Sequence, residues 1–304
     1  MLLRVSRAVL AVSLLTAATA VLAQPKTRAD CERDYRPEVG QQGKDVVWVP
    51  TPDELVARML KMAGTTAQDY VIDLGAGDGK IAIAAAKHFG ATSLGIEYNP
   101  DMVRLAECMV QVEGVSGRTR VIRGDIFKED FSKATVVTMY LLPQLNLCVR
   151  HRILAMRPGT RVTSHQFSMG EWESDERTEF EHRTGYLWIV PARVGGNWAL
   201  RDASGATATV SLSQAYQRVS GDVTFGTTRQ PITDASLSGD RLRISYTDDK
   251  GVGRSFSGRV AGNEITGTLR GPAGEVAASA ALQGALQAAN WAEMADGCGQ
   301  FYGK

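Results

Sequence analysis

Apolar and polar positions change their spacing several times along this chain. Residues 8–23 form an apolar run broken only by Ser13, Thr16 and Thr19. Residues 24–46 are polar and charged, with Pro25 and Pro37, and predict a mostly irregular arm. From 47 to 191, short apolar blocks alternate with helical spacing. Residues 71–74 and 93–97 predict strands, and 119–123, 135–141 and 161–165 read as three further ones. Thr51-Pro52-Asp53-Glu54 predicts a helix start, with Thr51 as N-cap, Pro52 in the first helical position and Glu54 completing a capping box. The helix after it puts Leu55, Val56, Met59, Leu60 and Met62 on one side. Residues 80–89 are an Ala-rich helix, Asn99-Pro100-Asp101 starts another, and 144–156 is a third, ended by Pro158-Gly159. Residues 179–181 and 186–190 flank a turn at Gly185 and predict a hairpin. Alternation of this kind predicts an α/β domain over 47–191.

Beyond Gly195 the pattern becomes short, alternating and glycine-punctuated. Strands are expected at 208–212, 217–225, around Leu237, and at 241–246, 255–260 and 264–269. They predict a smaller antiparallel β-domain over 192–304, a meander or barrel, with a short helix at 285–296.

The composition changes this picture little, because 44% hydrophobic and 22% charged residues fit packed cores. A formal net charge of +1 gives no electrostatic reason to expect a nucleic-acid partner. The N-terminus changes it more. Arg4 and Arg7 precede the apolar run, which ends Val21-Leu22-Ala23 with small residues before the cut. This reads as a signal peptide over 1–23 and predicts export to the periplasm or beyond. The alternative is an uncleaved membrane anchor, although the run falls short of the roughly 20 residues of a spanning helix. With the signal cleaved, no stable membrane span is expected. Cys31, Cys108, Cys148 and Cys298 fit no zinc spacing. Cys108 and Cys148 read as small core residues, and Cys31 with Cys298 as a pair that an oxidising compartment would allow.

The chemistry concentrates in Asp73-Leu74-Gly75-Ala76-Gly77-Asp78-Gly79, between a buried strand and a helix. Glycines here let a ligand approach the backbone. A dinucleotide loop has G-x-G-x-x-G with a pyrophosphate on the helix N-terminus. Here Gly79 comes one residue early and Lys80 takes the dinucleotide position, which disfavours a nicotinamide enzyme. Asp73 at the strand end suits a positive ligand such as S-adenosyl-L-methionine (SAM), which carries an ammonium and a sulfonium. The loop resembles the D-x-G-x-G-x-G form of class I SAM-dependent methyltransferases. Glu97, ending the second strand, can accept hydrogen bonds from both ribose hydroxyls. By the same resemblance Asp125 would contact the adenine amino group, with Ile126 against the ring.

Val49-Pro50-Thr51-Pro52, Gly124-Asp125 and Tyr140-Leu141-Leu142-Pro143 extend the likeness. Together with the loop they are similar to a bacterial family related to the ATP-synthase c-subunit lysine methyltransferases. The likeness is more distant to the telomeric-silencing type of histone lysine methyltransferase. It covers residues 46–191 and implies a SAM cofactor, with Thr51 among its contacts. It also implies methyl transfer to a nucleophile such as a protein lysine amine. Tyr140 and Pro143 are candidates for lining the transfer channel; Tyr140 packing under the sheet edge is the equal alternative. The Asn/Asp-Pro-Pro-Tyr pattern of adenine and glutamine amide methylation is absent from this strand end. His165 reads as a structural residue before a base. An exported SAM-fold binding module without transferase activity is the other functional reading.

Overall fold

The computed structural model describes residues 26–303, so the expected signal peptide lies outside the described residues. The first unit is a seven-stranded sheet. In chain order its strands are β1 (Tyr70–Leu74), β2 (Thr92–Glu97), β3 (Thr119–Arg123), β4 (Val136–Met139), β5 (Arg161–His165), β6 (Glu176–Phe180) and β7 (Arg183–Ile189). They lie side by side as β3-β2-β1-β4-β5-β7-β6, parallel from β3 to β5, with β7 running against both its neighbours. The order reverses at β1, and in open α/β sheets the crevice at that reversal is where ligands bind.

Helices α2 (Asp53–Met62), α3 (Lys80–Phe89), α4 (Pro100–Val112) and α5 (Pro143–Leu154) cover the sheet. The strands alternate sides. Val71 and Val136 join the core under α2 and α3, whereas Ile72 and Val137 join the core under α5. Helix α2 starts without the expected capping box. Pro52 is its N-cap with no side-chain bond, because the Thr51 hydroxyl is bonded instead to His165 Nδ1 at 3.0 Å. Asp53 and Glu54 still favour this end by sitting on the positive pole of the helix.

The hairpin turn lies at Glu181 and His182, not at Gly185. Both residues have left-handed φ values, 45° and 62°, as a two-residue hairpin turn requires. Gly185 instead pairs with His165 and Thr178 in mid-strand. A Cβ there would lie 2.8 Å from Met59 Cγ, so the glycine serves the close approach of α2.

The arm is more ordered than its composition suggests. Helix α1 (Arg28–Asp34) opens on a capping box between Thr27 and Asp30, and Cys31 is bonded to Cys108 on α4. The second disulfide joins Cys148 on α5 to Cys298. The expected Cys31–Cys298 pair therefore does not form, and Cys108 and Cys148 are not free core thiols. Cys31 packs in the core between α3 and α4, and Cys298 in the core under α5, so each end of the chain meets its own cysteine.

The second unit is a closed antiparallel barrel of eight strands: β8 (Gly196–Asp202), β9 (Thr207–Ala215), β10 (Arg218–Phe225), β11 (Thr228–Ser238), β12 (Arg241–Thr247), β13 (Gly253–Ala261), β14 (Glu264–Gly271) and β15 (Gly274–Gln283). Each pairs with its sequence neighbour, and β15 closes on β8. In β12, Leu242, Ile244 and Tyr246 are buried while Arg241 and Arg243 are exposed, the alternation expected when one face fills a barrel. The expected helix at 285–296 is a 3-10 turn, Asn290–Ala292. Trp291 there packs on Tyr216 and donates to the Gln214 carbonyl, so the segment follows the domain junction and does not coil. A last short helix, α6 (Gly299–Tyr302), returns to the first unit. Trp172 and Tyr216 stack across the junction at 6.1 Å, and the Ala192 N–H donates to the Gly239 carbonyl at 2.7 Å.

Candidate functional site

Eight of the ten residues singled out from the sequence line one cavity of about 310 Å³ at the ends of β1, β2, β3 and β4. They are Asp73, Gly75, Gly77, Glu97, Asp125, Ile126, Thr51 and Tyr140. That size suits a cofactor. Gly79 and Pro143 do not line it. Gly79 is the N-cap of α3, where a Cβ would lie 3.1 Å from Ala106 Cβ, so it brings α3 onto α4. Pro143 opens α5 at its first turn.

The loop is held open by its own amides. The N–H groups of Gly75 and Ala76 both donate to the Ile96 carbonyl, at 2.9 and 3.0 Å. The Gly77 N–H donates to Glu97 Oε2 at 2.9 Å, and the Asn99 N–H to Glu97 Oε1 at 2.8 Å. Glu97 is thus oriented through both oxygens and keeps lone pairs free for two hydroxyl donors. A Cβ at Gly77 would lie 2.7 Å from Trp48 Nε1, so only glycine fits between loop and arm.

The electrostatics favour a cation. Asp73 is 1% exposed and takes a 2.6 Å bond from the Thr138 hydroxyl. Burial pushes its carboxyl up to about 7; the Thr138 bond opposes this, and the charges of Asp78 and Glu97 reinforce it. Asp78 is also raised by burial. Three carboxyl groups gathered at one loop make a site that gains most from a positive ligand. The ammonium and sulfonium of SAM fit this requirement, and a pyrophosphate does not.

The arm and the residues just after it supply a wall of which sequence reading found only Thr51. Residues 41 and 43–51 line the cavity, and Lys44 Nζ lies 3.4 Å from Asp125 and 5.4 Å from the Tyr98 ring centroid. The one available signal was the apolar cluster Val46-Val47-Trp48-Val49 inside an otherwise charged stretch. Phe167, just past β5, was missed as well.

Tyr140 lines the cavity and also packs on His165, with ring centroids 3.8 Å apart. His165 is 1% exposed, and burial with the nearby Arg183 holds its imidazole down at about 4. It is therefore neutral near pH 7 and ties Thr51 to the end of β5. A base with so low a value accepts protons poorly at that pH.

Proteins similar to this chain in sequence are methyltransferases. The model of the ANTKMT methyltransferase domain matches residues 73–176. A protein-lysine N-methyltransferase of Saccharolobus islandicus is 40% identical over 151 residues, covering 48% of this chain and 94% of that protein. The ATP synthase c-subunit lysine N-methyltransferase of Homo sapiens is 30% identical over 132 residues, covering 43% of this chain and 56% of that protein. An RNA methyltransferase from Salinibacter ruber, solved with S-adenosyl-L-homocysteine (SAH), is 43% identical, covering 48% of this chain and 96% of that one, with a TM-score of 0.47.

Proposed function

This chain belongs to the family of SAM-dependent protein-lysine methyltransferases, and from that premise we propose that its 47–191 domain methylates a lysine side chain of a protein. The observation that carries the cofactor assignment is buried Asp73, with Asp78 and Glu97, at the glycine loop of the cavity. SAM, when bound, supplies an electrophilic methyl group on a sulfonium. Asp73 and the Gly75–Gly77 loop would hold its amino-acid end, Glu97 the ribose hydroxyls, and Asp125 with Ile126 the adenine. Thr51 and Tyr140 stand at the wall where an acceptor would approach. A lysine must shed a proton before it attacks. The approach past Tyr140, Leu142 and Phe167 reaches solvent, Leu142 being exposed, so the proton can leave to water. His165, being neutral and bonded to Thr51, positions the wall and takes no proton. Most of the rate then comes from alignment of amine and methyl.

The test is methyl transfer from labelled SAM to protein extracts, followed by mass spectrometry of the labelled residue. Methyl-lysine made by the wild type but not by Asp73→Asn is the expected result. Label on another residue type would sink the lysine assignment. The domain's site of action belongs to the same proposal. The apolar segment 1–23 reads as an export signal, and all four cysteines being paired supports an oxidising compartment. Among the described residues no helix is long and apolar enough to cross a membrane. Sequencing of the mature N-terminus should begin at Gln24; an intact N-terminus on membrane-bound protein would favour an anchor instead.

A further inference from the structure

The wall assigned to adenine is backed by the last residues of the chain. Phe127 follows Asp125-Ile126 and is buried, and its N–H donates to Asp125 Oδ1 at 3.0 Å. Phe301 stacks on its ring and Tyr302 meets it edge-on, each with centroids 5.1 Å away. Tyr302 also donates its hydroxyl to the Cys148 carbonyl at 2.8 Å, and the disulfide joins Cys148 to Cys298 just before α6. From the same helix, α5, Arg152 donates to the Ile126 carbonyl at 2.8 Å. Helix α6 has four residues, far too few to be stable alone. Its position therefore depends on the disulfide and on the aromatic contacts.

We propose that Phe301 and Tyr302, pinned by the Cys148–Cys298 disulfide, are positioning residues for the cofactor, acting through Phe127 on the Asp125–Ile126 wall. The proposal rests on the reading of the cavity as the SAM site. It gives the C-terminal tail a part in cofactor affinity although no tail residue lines the cavity. It also makes that affinity depend on oxidation state. An external dithiol delivers two electrons and two protons to the disulfide, leaves thiols at Cys148 and Cys298, and is itself oxidised to a disulfide. The tail is then held by side-chain contacts alone.

Calorimetric titration of the full-length oxidised protein with SAH and with adenosine tests this. Loss of one partly buried aromatic contact predicts that Phe301→Ala weakens both ligands about five-fold. Phe301→Leu, which keeps an apolar contact, should recover most of the loss. The Cys148→Ala/Cys298→Ala double variant, which keeps the Cys31–Cys108 disulfide, should weaken both ligands in the same direction. Should Phe301→Ala fail to fold by near-ultraviolet circular dichroism, the double variant decides. If the folded variants bind SAH and adenosine as wild type does while Asp73→Asn loses SAH, the proposal is overturned and the cofactor reading stands. If wild type binds no SAH, the cofactor reading itself falls, and this proposal with it.

Discussion

At the residue scale, Asp73 sets two opposite pH dependences. Its folded-state value of about 7 lies above that of an unfolded Asp, near 3.8. The protonated form is thus favoured in the fold, and the stability it contributes is complete below 3.8 and lost as pH rises through 7. Asp73→Asn cannot titrate there. Urea unfolding of the unliganded proteins should show the variant gaining on wild type between pH 4 and 7, by at most about 1.4 kcal/mol per pH unit. Ligand affinity runs the other way. The ligand's ammonium needs the ionised carboxylate, so SAH affinity of wild type should rise with pH and level off above about 7. Titrations in buffers of different ionisation enthalpy should detect a proton released on binding below that pH. Removing one charge-assisted contact predicts a loss of SAH affinity of about ten- to a hundredfold for Asp73→Asn near pH 8. Asp73, Glu97 and Asp125 were legible in the sequence because each ends or closely follows a strand, where main-chain geometry fixes its place. Lys44 and Trp48 were not, because they reach the cavity from a segment without periodicity.

At the scale of elements, the sequence located the strands of the first sheet to within a few residues. Strands β1 and β4 at the centre are largely apolar blocks, and that signal is local. Cap and turn assignments fared worse, since they depend on which distant group competes for a hydrogen bond. Thr51 is a sound N-cap in isolation, yet its hydroxyl is taken by His165, which is 114 positions away. Gly185 looks like a turn residue, yet it is a contact point for α2. Gly185→Ala should therefore cost about 1–3 kcal/mol in urea unfolding, as overpacking does, without affecting the turn. Gly77→Ala is expected to weaken SAH binding in calorimetry, since its φ of 56° and the Trp48 indole both oppose a side chain. In the barrel, β8 and β15 were missed. β15 is rich in alanine, which carries little strand preference, and it is held by pairing on both sides.

For the molecule as a whole, the chain leaves the first unit at 191, builds the barrel, and comes back to be bonded to α5. This arrangement predicts coupled unfolding. Calorimetric scans of the oxidised protein should show one main transition, because the tail ties the barrel to the sheet domain. Reduction should lower the melting temperature, each disulfide being worth about 2–4 kcal/mol, and separate the transitions of the two units. Saturating SAH should then raise only the transition of the sheet domain, by about 2.7 kcal/mol at a hundredfold excess over Kd. One transition persisting after reduction would mean that the aromatic contact of Trp172, Tyr216 and Trp291 alone couples the units.

By itself the sequence determined the α/β order of residues 47–191, the β character of residues 192–304, and the loop that identifies the cofactor. All three rest on periodicity and on backbone requirements satisfied within a few residues. Tertiary structure decided which cysteines pair and how the barrel closes. It also decided that the arm lines the cofactor cavity and the tail backs it, from opposite ends of the chain. Those outcomes depend on which surfaces meet at long range, and no local pattern of hydrophobic and polar positions encodes that meeting.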